Sequence, residues 1–430
     1  MGQKRPSSGG LNANARHLRE ALLLAAAAAL AGFVGLGQAG TDDVLRFIDA
    51  PDSPLRVDDA WSAVIDDFNG DGHLDIAVLC PLYYALFTEY VDGGTDAVTV
   101  LLGIGDGTFA GASVFPVGDG SWNAYAMSSG DFDGDSHVDL LVASPGRDYR
   151  DPNVYVLSGN GDGGFQSTPS RAYRVGREPA GIFVADFDLD GRLDIAAACI
   201  WDNCVSIRYG EGGGRFSRER RLRFSTDAQP SAVVADDFNA DGWLDLAVTQ
   251  LLADRVTVFL GGEGRRFEKA GEYTVGNRPM ALLAADVSGD ERIDLVVTGL
   301  TAVVSLEPQI FRTTLSLLLG DGLDAFAPPL DLVIDGKDPI ALIAADVNGD
   351  GLLDLATANE GSNDVSLLIG AGDGAFTGAL LPIIPDYPAY KRLGVRWIGA
   401  GDFDEDGRVD LAILAGSREA LFIWLNAEEE

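Results

Sequence analysis

Clusters of aspartate recur along the chain at a spacing that suits a hard divalent cation. The first is DFNGDGHLD, Asp67 to Asp75, which has three aspartates and one asparagine in nine residues. Carboxylates this close repel one another unless a cation lies between them. Side-chain oxygens at positions 1, 3, 5 and 9, with the backbone carbonyl at position 7, would surround Ca²⁺, which takes about six to eight oxygen ligands. The spacing therefore predicts a calcium-binding loop.

The same nine-residue pattern occurs seven times, and its copies begin 49 to 64 residues apart. One Asp- and Gly-rich turn is common on protein surfaces, but seven turns in the same pattern indicate a repeated site. We call the copies acidic loops 1 to 7 and number their positions 1 to 9. They are Asp67–Asp75, Asp131–Asp139, Asp186–Asp194, Asp237–Asp245, Asp286–Asp294, Asp346–Asp354 and Asp402–Asp410.

Most of the predicted ligand positions hold carboxylates. The residue at position 7 is predicted to bind through its backbone carbonyl, and the others through their side chains. The predicted ligands are Asp67, Asn69, Asp71, His73 and Asp75; Asp131, Asp133, Asp135, His137 and Asp139; Asp186, Asp188, Asp190, Arg192 and Asp194; Asp237, Asn239, Asp241, Trp243 and Asp245; Asp286, Ser288, Asp290, Arg292 and Asp294; Asp346, Asn348, Asp350, Leu352 and Asp354; and Asp402, Asp404, Asp406, Arg408 and Asp410.

Position 6 distinguishes the copies from one another. A left-handed backbone is expected there, which glycine adopts at little cost, and five copies have glycine. Loop 2 has Ser136 and loop 5 has Glu291 at this position. Loop 5 also has Ser288 at position 3. We therefore predict up to seven Ca²⁺ ions, with loop 5 binding most weakly.

Short apolar stretches surround every acidic loop. Around loop 3, PAGIFVAD precedes it, LDIAAA ends it and CVSIRYG follows, and a Gly-rich turn then leads to a Phe-containing stretch. Such short runs, bounded by Gly, Pro and Asp, are typical of β-strands. Four strands per unit in seven units predict an all-β fold, a seven-bladed β-propeller of four-stranded blades.

The two ends of the chain are predicted to close the ring. The last unit stops at its third strand, Leu421–Asn426, and the segment Val44–Ala50 precedes the first acidic loop. If this segment supplies the missing fourth strand, the ring has no open sheet edge to invite aggregation. The alternative is that Val44–Ala50 is a disordered lead-in.

The repeats resemble the FG-GAP or VCBS-type repeat family, whose seven-bladed propeller also forms the head of integrin alpha chains. The resemblance extends from about Val44 onward. The second unit, Val138–Leu157, has SPG where the family has GAP, and the other units depart from GAP but keep the acidic loop. The resemblance implies that each loop joins the first and second strands of a blade and binds Ca²⁺. It also implies that ligands bind the opposite face.

The N-terminus has the pattern of a targeting segment. Lys4, Arg5, Arg16 and Arg19 precede the apolar run Ala21–Leu36, which is followed by GQAG. A basic flank, a short apolar run and small residues are typical of a secretory signal, and an uncleaved anchor is the alternative. We therefore assign residues 1–40 to a signal peptide or anchor and 41–430 to the propeller. The protein is predicted to be secreted or to lie at the cell surface or in the periplasm.

The net charge narrows the classes of possible partner. The net charge of −35 argues against nucleic acid, whose binding proteins need a basic patch, and against anionic lipid. Membrane contact is expected only through an uncleaved N-terminal segment.

Cys199 and Cys204 could form a hairpin disulfide if they lie on neighbouring strands in an oxidising compartment. Cys80 is interpreted as a small buried hydrophobe.

The remaining motifs favour a binding role. Aromatic residues concentrate in Pro81–Ala97 and Pro385–Trp397 and at Trp122, Tyr125 and Tyr149. They suit contacts with protein or carbohydrate, or they pack as plugs against the blades. We predict a non-enzymatic binding or adhesion module, because His17, His73 and His137 are the only histidines and no nucleophile-elbow or HExxH motif occurs. Alternatives are a secreted polysaccharide lyase or hydrolase and a purely structural matrix protein.

Overall fold

The computed structural model describes the chain from residue 46 to residue 427 with several internal gaps. The described ranges are 46–57, 60–81, 96–118, 121, 124–145, 153–166, 171–225, 227–300, 302–306, 309–382, 394–416 and 420–427. Within these ranges the regular elements are β-strands, with no α-helix. No helix long and apolar enough to cross a membrane is found in the same ranges. The proposed signal segment, residues 1–40, lies outside them.

The strands form seven antiparallel sheets, which confirms the predicted seven-bladed propeller. Blade 1 contains β3 (Ser62–Asp66), β4 (Asp75–Cys80), β5 (Ala97–Leu101) and β6 (Ser113–Pro116). Blade 2 contains β7 (Ala126–Gly130), β8 (Asp139–Ala143), β9 (Val154–Leu157) and β10 (Arg171–Tyr173). Blade 3 contains β11 (Pro179–Ala185), β12 (Asp194–Cys199), β13 (Cys204–Arg208) and β16 (Arg220–Arg223).

The other four blades repeat this order. Blade 4 contains β17 (Pro230–Asp236), β18 (Asp245–Gln250), β19 (Arg255–Gly262) and β20 (Arg266–Thr274). Blade 5 contains β21 (Leu282–Ala285), β22 (Asp294–Thr298), β24 (Gln309–Leu318) and β25 (Leu330–Ile334). Blade 6 contains β26 (Pro339–Ala345), β27 (Asp354–Asn359), β28 (Asp364–Gly370) and β29 (Phe376–Pro382). Blade 7 contains β30 (Val395–Gly401), β31 (Asp410–Ala415), β32 (Ala420–Asn426) and β1 (Phe47–Asp49).

Three additions decorate the regular blades. In blade 3, β14 (Gly210–Gly212) and β15 (Arg215–Phe216) form a small hairpin between the third and fourth strands. In blade 5, β23 (Ala302–Leu306) pairs with the first half of β24 and extends that strand beyond the sheet. In blade 7, β2 (Leu55–Arg56) also pairs with β32.

The first strand of every blade contacts the first strand of the next blade, and β30 contacts β3, so the ring closes. Hydrophobic core fills the space between neighbouring blades, as where Ile207 of blade 3 packs in one cluster with Val233 and Leu246 of blade 4. Inner strands are covered on both faces, which explains why β12 is apolar after its first residue, Asp194, and does not alternate. The outer strand β20 is largely exposed and alternates.

Blade 7 combines both ends of the described chain. The N-terminal strand β1 pairs antiparallel with β32, with Phe47 opposite Asn426 and Asp49 opposite Trp424. The ring of Phe47 also packs on the ring of Trp424 at a centroid distance of 6.0 Å. The fourth strand of blade 7 therefore comes from the start of the chain, and β32 does not remain an open edge.

The three cysteines are free thiols in the structure. Cys199 and Cys204 are register partners on the neighbouring strands β12 and β13, so they face each other across the hairpin. Cys80 is only half-buried, and its Sγ lies 3.6 Å from Thr99 Oγ1. Its environment is therefore more polar than the predicted apolar one.

Candidate functional site

Each acidic loop joins the first strand of a blade to the second. Loop 1 lies between β3 and β4, and loop 4 lies between β17 and β18. Because the first strands of all blades run in the same direction around the axis, the seven loops share one face of the ring. We call it the acidic face. The turns between third and fourth strands lie on the same face, since strand direction alternates within each blade.

The aspartates at positions 1 and 5 fold each loop by accepting hydrogen bonds from its backbone. In loop 4, Asp237 Oδ2 accepts from the N–H of Gly242 at 2.7 Å, and Asp237 Oδ1 accepts from the N–H of Asp241 at 3.0 Å. Asp241 Oδ1 in turn accepts from the N–H of Trp243 at 2.8 Å. These bonds satisfy backbone donors that no strand pairs with.

The aspartate at position 9 is buried and fastens the loop to the third strand. Asp245 Oδ2 accepts from the N–H of Phe238 at 3.0 Å, and its Oδ1 accepts from the N–H of Gly261 at 2.7 Å. Corresponding aspartate–glycine bonds occur at Gly103, Gly159, Gly210, Gly320 and Gly370. In loop 5 the first of the two bonds comes from Ser288, and in blade 7 the second comes from Asn426.

Burial shifts the ionisation of these position 9 carboxyls. It raises the pKa to about 7 for four of them, to about 6 for two, and raises that of Asp294 as well, while backbone N–H donors and nearby carboxylates act as smaller influences. The first four are Asp139, Asp194, Asp245 and Asp410, and the next two are Asp75 and Asp354. A cation beside them would favour the charged form and lower these pKa values.

Three loops bring carboxylates from positions 1, 3 and 9 together. In each triad one oxygen per residue lies within 4.8 Å of the others. The triads are Asp131, Asp133 and Asp139 in loop 2, Asp186, Asp188 and Asp194 in loop 3, and Asp402, Asp404 and Asp410 in loop 7. The other four loops have Asn or Ser at position 3, so they offer an amide or hydroxyl oxygen there.

The donor set of these triads fits a hard cation such as Ca²⁺, because it consists of oxygen atoms alone. A second observation comes from Asp188, whose side chain is 8% exposed. Its Oδ1 is buried and accepts no hydrogen bond from any described residue. An unpaired buried oxygen is costly, and a bound cation would satisfy it.

Positions 5 and 7 lie at the exposed rim of the loops. Arginines at position 7 pair with the aspartate at position 5 in three loops, at 3.2 Å in loop 3, 3.5 Å in loop 5 and 3.1 Å in loop 7. In loop 1, His73 contacts Glu405 of loop 7 instead, and that carboxylate raises the pKa of His73. Ligation by positions 5 and 7 stays a prediction.

The backbone of the loops is left-handed at position 6, as predicted, and also at position 4, which was not predicted. Position 6 is left-handed in all seven loops, including Ser136 at φ 71° and Glu291 at φ 64°. Position 4 is left-handed as well, although it holds Leu189, Ala240 and Glu405 in loops 3, 4 and 7. Glycine at position 4 of the other four loops was the available signal.

The turn between third and fourth strands of the next blade docks on each of several loops, a contact not predicted from the sequence. The N–H of Gly107 donates to the carbonyl of Phe403 in loop 7 at 2.9 Å, and that of Gly163 donates to Phe68 in loop 1 at 3.2 Å. The N–H of Gly214 donates to Phe132 in loop 2 at 2.9 Å. Repeated glycines two residues ahead of Phe109, Phe165 and Phe216 were the sequence signal.

On the opposite face, the structure reaches only part of the predicted ligand surface. Tyr125 is fully buried, so at this position the plug interpretation applies. Trp61 is also buried, with the Arg396 guanidinium 4.1 Å from its ring centre. Trp122, Tyr149 and most of the two aromatic loops, at 82–95 and 383–393, lie outside the described residues.

Comparison with known families supports this architecture. The family of FG-GAP-like repeats matches residues 131–197, 237–297 and 346–413. Each matched segment begins at the first aspartate of an even-numbered acidic loop and runs just past the last aspartate of the next loop. The chain is an FG-GAP repeat β-propeller. A search of curated proteins found no match to it.

Solved structures share the fold of this FG-GAP propeller at low sequence identity. BBS1N in complex with ARL6DN has a TM-score of 0.56 at 12% identity, covering 89% of this chain and 98% of that one. A streptogramin B lyase has a TM-score of 0.54 at 11% identity, with the same coverage. An Agrocybe aegerita lectin, which specifically recognises non-reducing terminal N-acetylglucosamine, has a TM-score of 0.48 at 17% identity, covering 82% of this chain and 85% of that one. At these identities the likeness shows the fold alone.

Proposed function

We propose that the protein is an extracellular calcium-binding β-propeller that acts as a binding or adhesion module for a protein or carbohydrate. The carboxylate triads of loops 2, 3 and 7 are the observation that carries the calcium part of this proposal. Three carboxylates within 4.8 Å would repel one another in the folded protein without a cation. The acidic face is then the structural side of the ring.

The residues at positions 1, 3 and 9 would hold the ion, with positions 5 and 7 completing the shell. A bound Ca²⁺ would offset part of the negative charge of the loop and cross-link it to the third strand through the position 9 carboxylate. The backbone of each loop is ordered without the ion, since the aspartates at positions 1 and 5 already accept hydrogen bonds from it, as in Asp237–Asp245. At position 3, loops 1, 4 and 6 offer an asparagine oxygen, and loop 5 offers only the Ser288 hydroxyl.

The partner is proposed to bind the face opposite the acidic loops. That face carries the connections between second and third strands and between blades, among them the long aromatic segments Pro81–Ala97 and Pro385–Trp397. Aromatic side chains on long loops supply contact area for sugars and proteins. The net charge of −35 favours a neutral or basic partner over nucleic acid or anionic lipid.

We propose a binding role in preference to a catalytic one. Within the described residues the histidines are His73 and His137, and both lie at position 7 of acidic loops. The streptogramin B lyase shares the fold alone, so it adds no support for an enzyme. Secretion or display at the cell surface is proposed from the N-terminal pattern of basic flank and apolar run.

Thermal melting with calcium and with excess chelator tests the metal part directly. Ca²⁺ that binds only the native state raises the midpoint by mass action, and metal analysis counts the ions. We expect a raised midpoint and at least one ion for each of the three triads. A protein that retains no calcium and melts at the same temperature in both buffers contradicts the proposal.

A glycan array and incubation with polysaccharides test the partner part. Tyr387→Ala with Tyr390→Ala should weaken binding while leaving the melting midpoint unchanged. Ile104→Ala is the matched control, because Ile104 is 51% exposed in a turn on the acidic face. Cleavage of a polysaccharide by the wild type would favour the enzyme alternative, and equal loss of binding in both variants would refute the assigned face.

A further inference from the structure

In blades 1 to 6, the turn after the third strand places one residue beside the acidic loop of the preceding blade. The type of this residue differs from blade to blade. It lies four residues after the strand-end residue that bonds to position 9, and it is Gly107, Gly163, Gly214 and Gly374 in blades 1, 2, 3 and 6. In blade 4 it is Arg265 and in blade 5 it is Asp324. Where it is Gly214, an added Cβ would lie 3.6 Å from Asp133 Cβ, so this place faces position 3 of the preceding loop.

Arg265 uses this place to reach loop 3 from the neighbouring blade. Its Nη2 lies 2.5 Å from Asp188 Oδ2. The guanidinium lies 4.2 Å from the centre of the Tyr209 ring, which supports it from below. The Tyr209 hydroxyl and the Arg220 guanidinium both donate to the Arg265 carbonyl oxygen. The hydrogen bonds to its carbonyl fix the backbone of Arg265, and the contacts with Tyr209 and Asp188 fix its guanidinium. The side chain is therefore held beside Asp188.

Loop 3 is one of three loops with aspartate at positions 1, 3, 5 and 9. The other two, loops 2 and 7, are faced by Gly214 and Gly107, which bring no charge. Among the described residues, loop 3 is the one of these three whose position 3 carboxylate pairs with a cation from the next blade. Arg265 thus occupies one oxygen of Asp188 and leaves Oδ1 without a hydrogen-bond partner among the described residues.

We propose that Arg265 is a built-in counter-cation of loop 3, which holds the loop together without metal and weakens its affinity for calcium. This inference rests on the proposed calcium binding of the acidic loops. A fixed positive charge beside the triad repels a second cation and withdraws one ligand oxygen. In the metal-free protein the same charge offsets the repulsion among the triad's carboxylates. Loops 2 and 7 have a glycine in place of Arg265 and so receive no charge from this position of the next blade.

The test compares Arg265→Asn with Arg266→Asn. Both remove one positive charge, and Arg266 is exposed and forms no ion pair with a described residue. Asparagine tolerates the left-handed backbone of residue 265, at φ 63°. In chelator, Arg265→Asn should melt below Arg266→Asn. With calcium, it should tighten one site by on the order of twofold to fivefold relative to the wild type, as expected for a partly exposed charge.

Two further variants make the result decisive. Arg265→Lys keeps the charge and should retain both wild-type properties. Adding Asp188→Asn to Arg265→Asn should abolish the gain in calcium affinity. If Arg265→Asn and Arg266→Asn agree in chelator and in the calcium isotherm, the inference is overturned and the proposed function is not. If the wild type binds no calcium at any loop, both fall together.

Discussion

Substituting one glycine at the end of a third strand tests how each acidic loop is fastened to its blade. An added Cβ at Gly261 would lie 2.1 Å from the Leu244 carbonyl oxygen, and backbone cannot yield as a side chain does. Moving Gly261 away would break its N–H bond to the buried Asp245 carboxylate, which is 2.7 Å long. Gly261→Ala should therefore destabilise blade 4 through two effects that act together.

The magnitude follows from those two effects. Overpacking of this kind costs about 1–3 kcal/mol, and a lost hydrogen bond to a charged group costs about 1.5–3 kcal/mol. We expect a loss of about 3–5 kcal/mol in the free energy of unfolding. With about 2 cal/mol/K of unfolding entropy per residue summed over a cooperative ring, each kcal/mol corresponds to roughly 1 °C in the melting midpoint.

The matched control is the neighbouring glycine. An added Cβ at Gly262 meets no atom within 4 Å, so Gly262→Ala should change the midpoint by less than about 1 °C. Both variants are melted in chelator, so that calcium does not contribute, and hydrogen exchange then locates the effect. Equal midpoints for the two variants, or lost protection spread evenly over all blades, would refute the fastening role.

Other predictions concern single loops and the thiol pair. Asp71→Ala should lower the calcium count by one and leave the other sites loaded, which metal analysis of the purified variant checks. Glu291→Gly should stabilise the metal-free protein by about 1 kcal/mol, because glycine removes the cost of φ 64° while the backbone N–H keeps its bond to Asp286; denaturant titration in chelator measures this. Cys199→Ser should raise the free-thiol count of protein produced in an oxidising compartment if Cys199 and Cys204 are bridged there, and a count that falls by one would show that they are not.

Local sequence carried most of the fold because each unit repeats its own strands and turns. The alternation of acidic loop, apolar stretch and Gly-rich turn was sufficient for seven four-stranded blades. Contacts between blades were not accessible in this way. Arg265 and Asp188 are far apart in the chain, and no spacing rule connects them until the ring places blade 4 beside loop 3.

Exceptions at repeated positions hid the remaining features. The left-handed backbone at position 4 was obscured by Leu189, Ala240 and Glu405, which adopt it without being glycine. Blade 5 is extended because β23 pairs with β24. The apolar composition of this segment alone does not predict that pairing. The signal was therefore weaker at position 4, where four of the seven copies have glycine, than at position 6, where five have it.

Blade 7 shows why the fastening carboxylate and the closure of the ring belong together. In six blades the strand end that bonds to position 9 is glycine, where an added Cβ would lie 2.1 to 2.5 Å from the carbonyl oxygen of position 8 of the same acidic loop. Blade 7 has Asn426 at that place, on the strand β32 that pairs with the N-terminal strand β1. Asp410 therefore holds β32 through the N–H of Asn426 at 2.8 Å, on the strand that pairs with β1. A cation in loop 7 would consequently strengthen the short pairing, Phe47 to Asp49, on which closure depends.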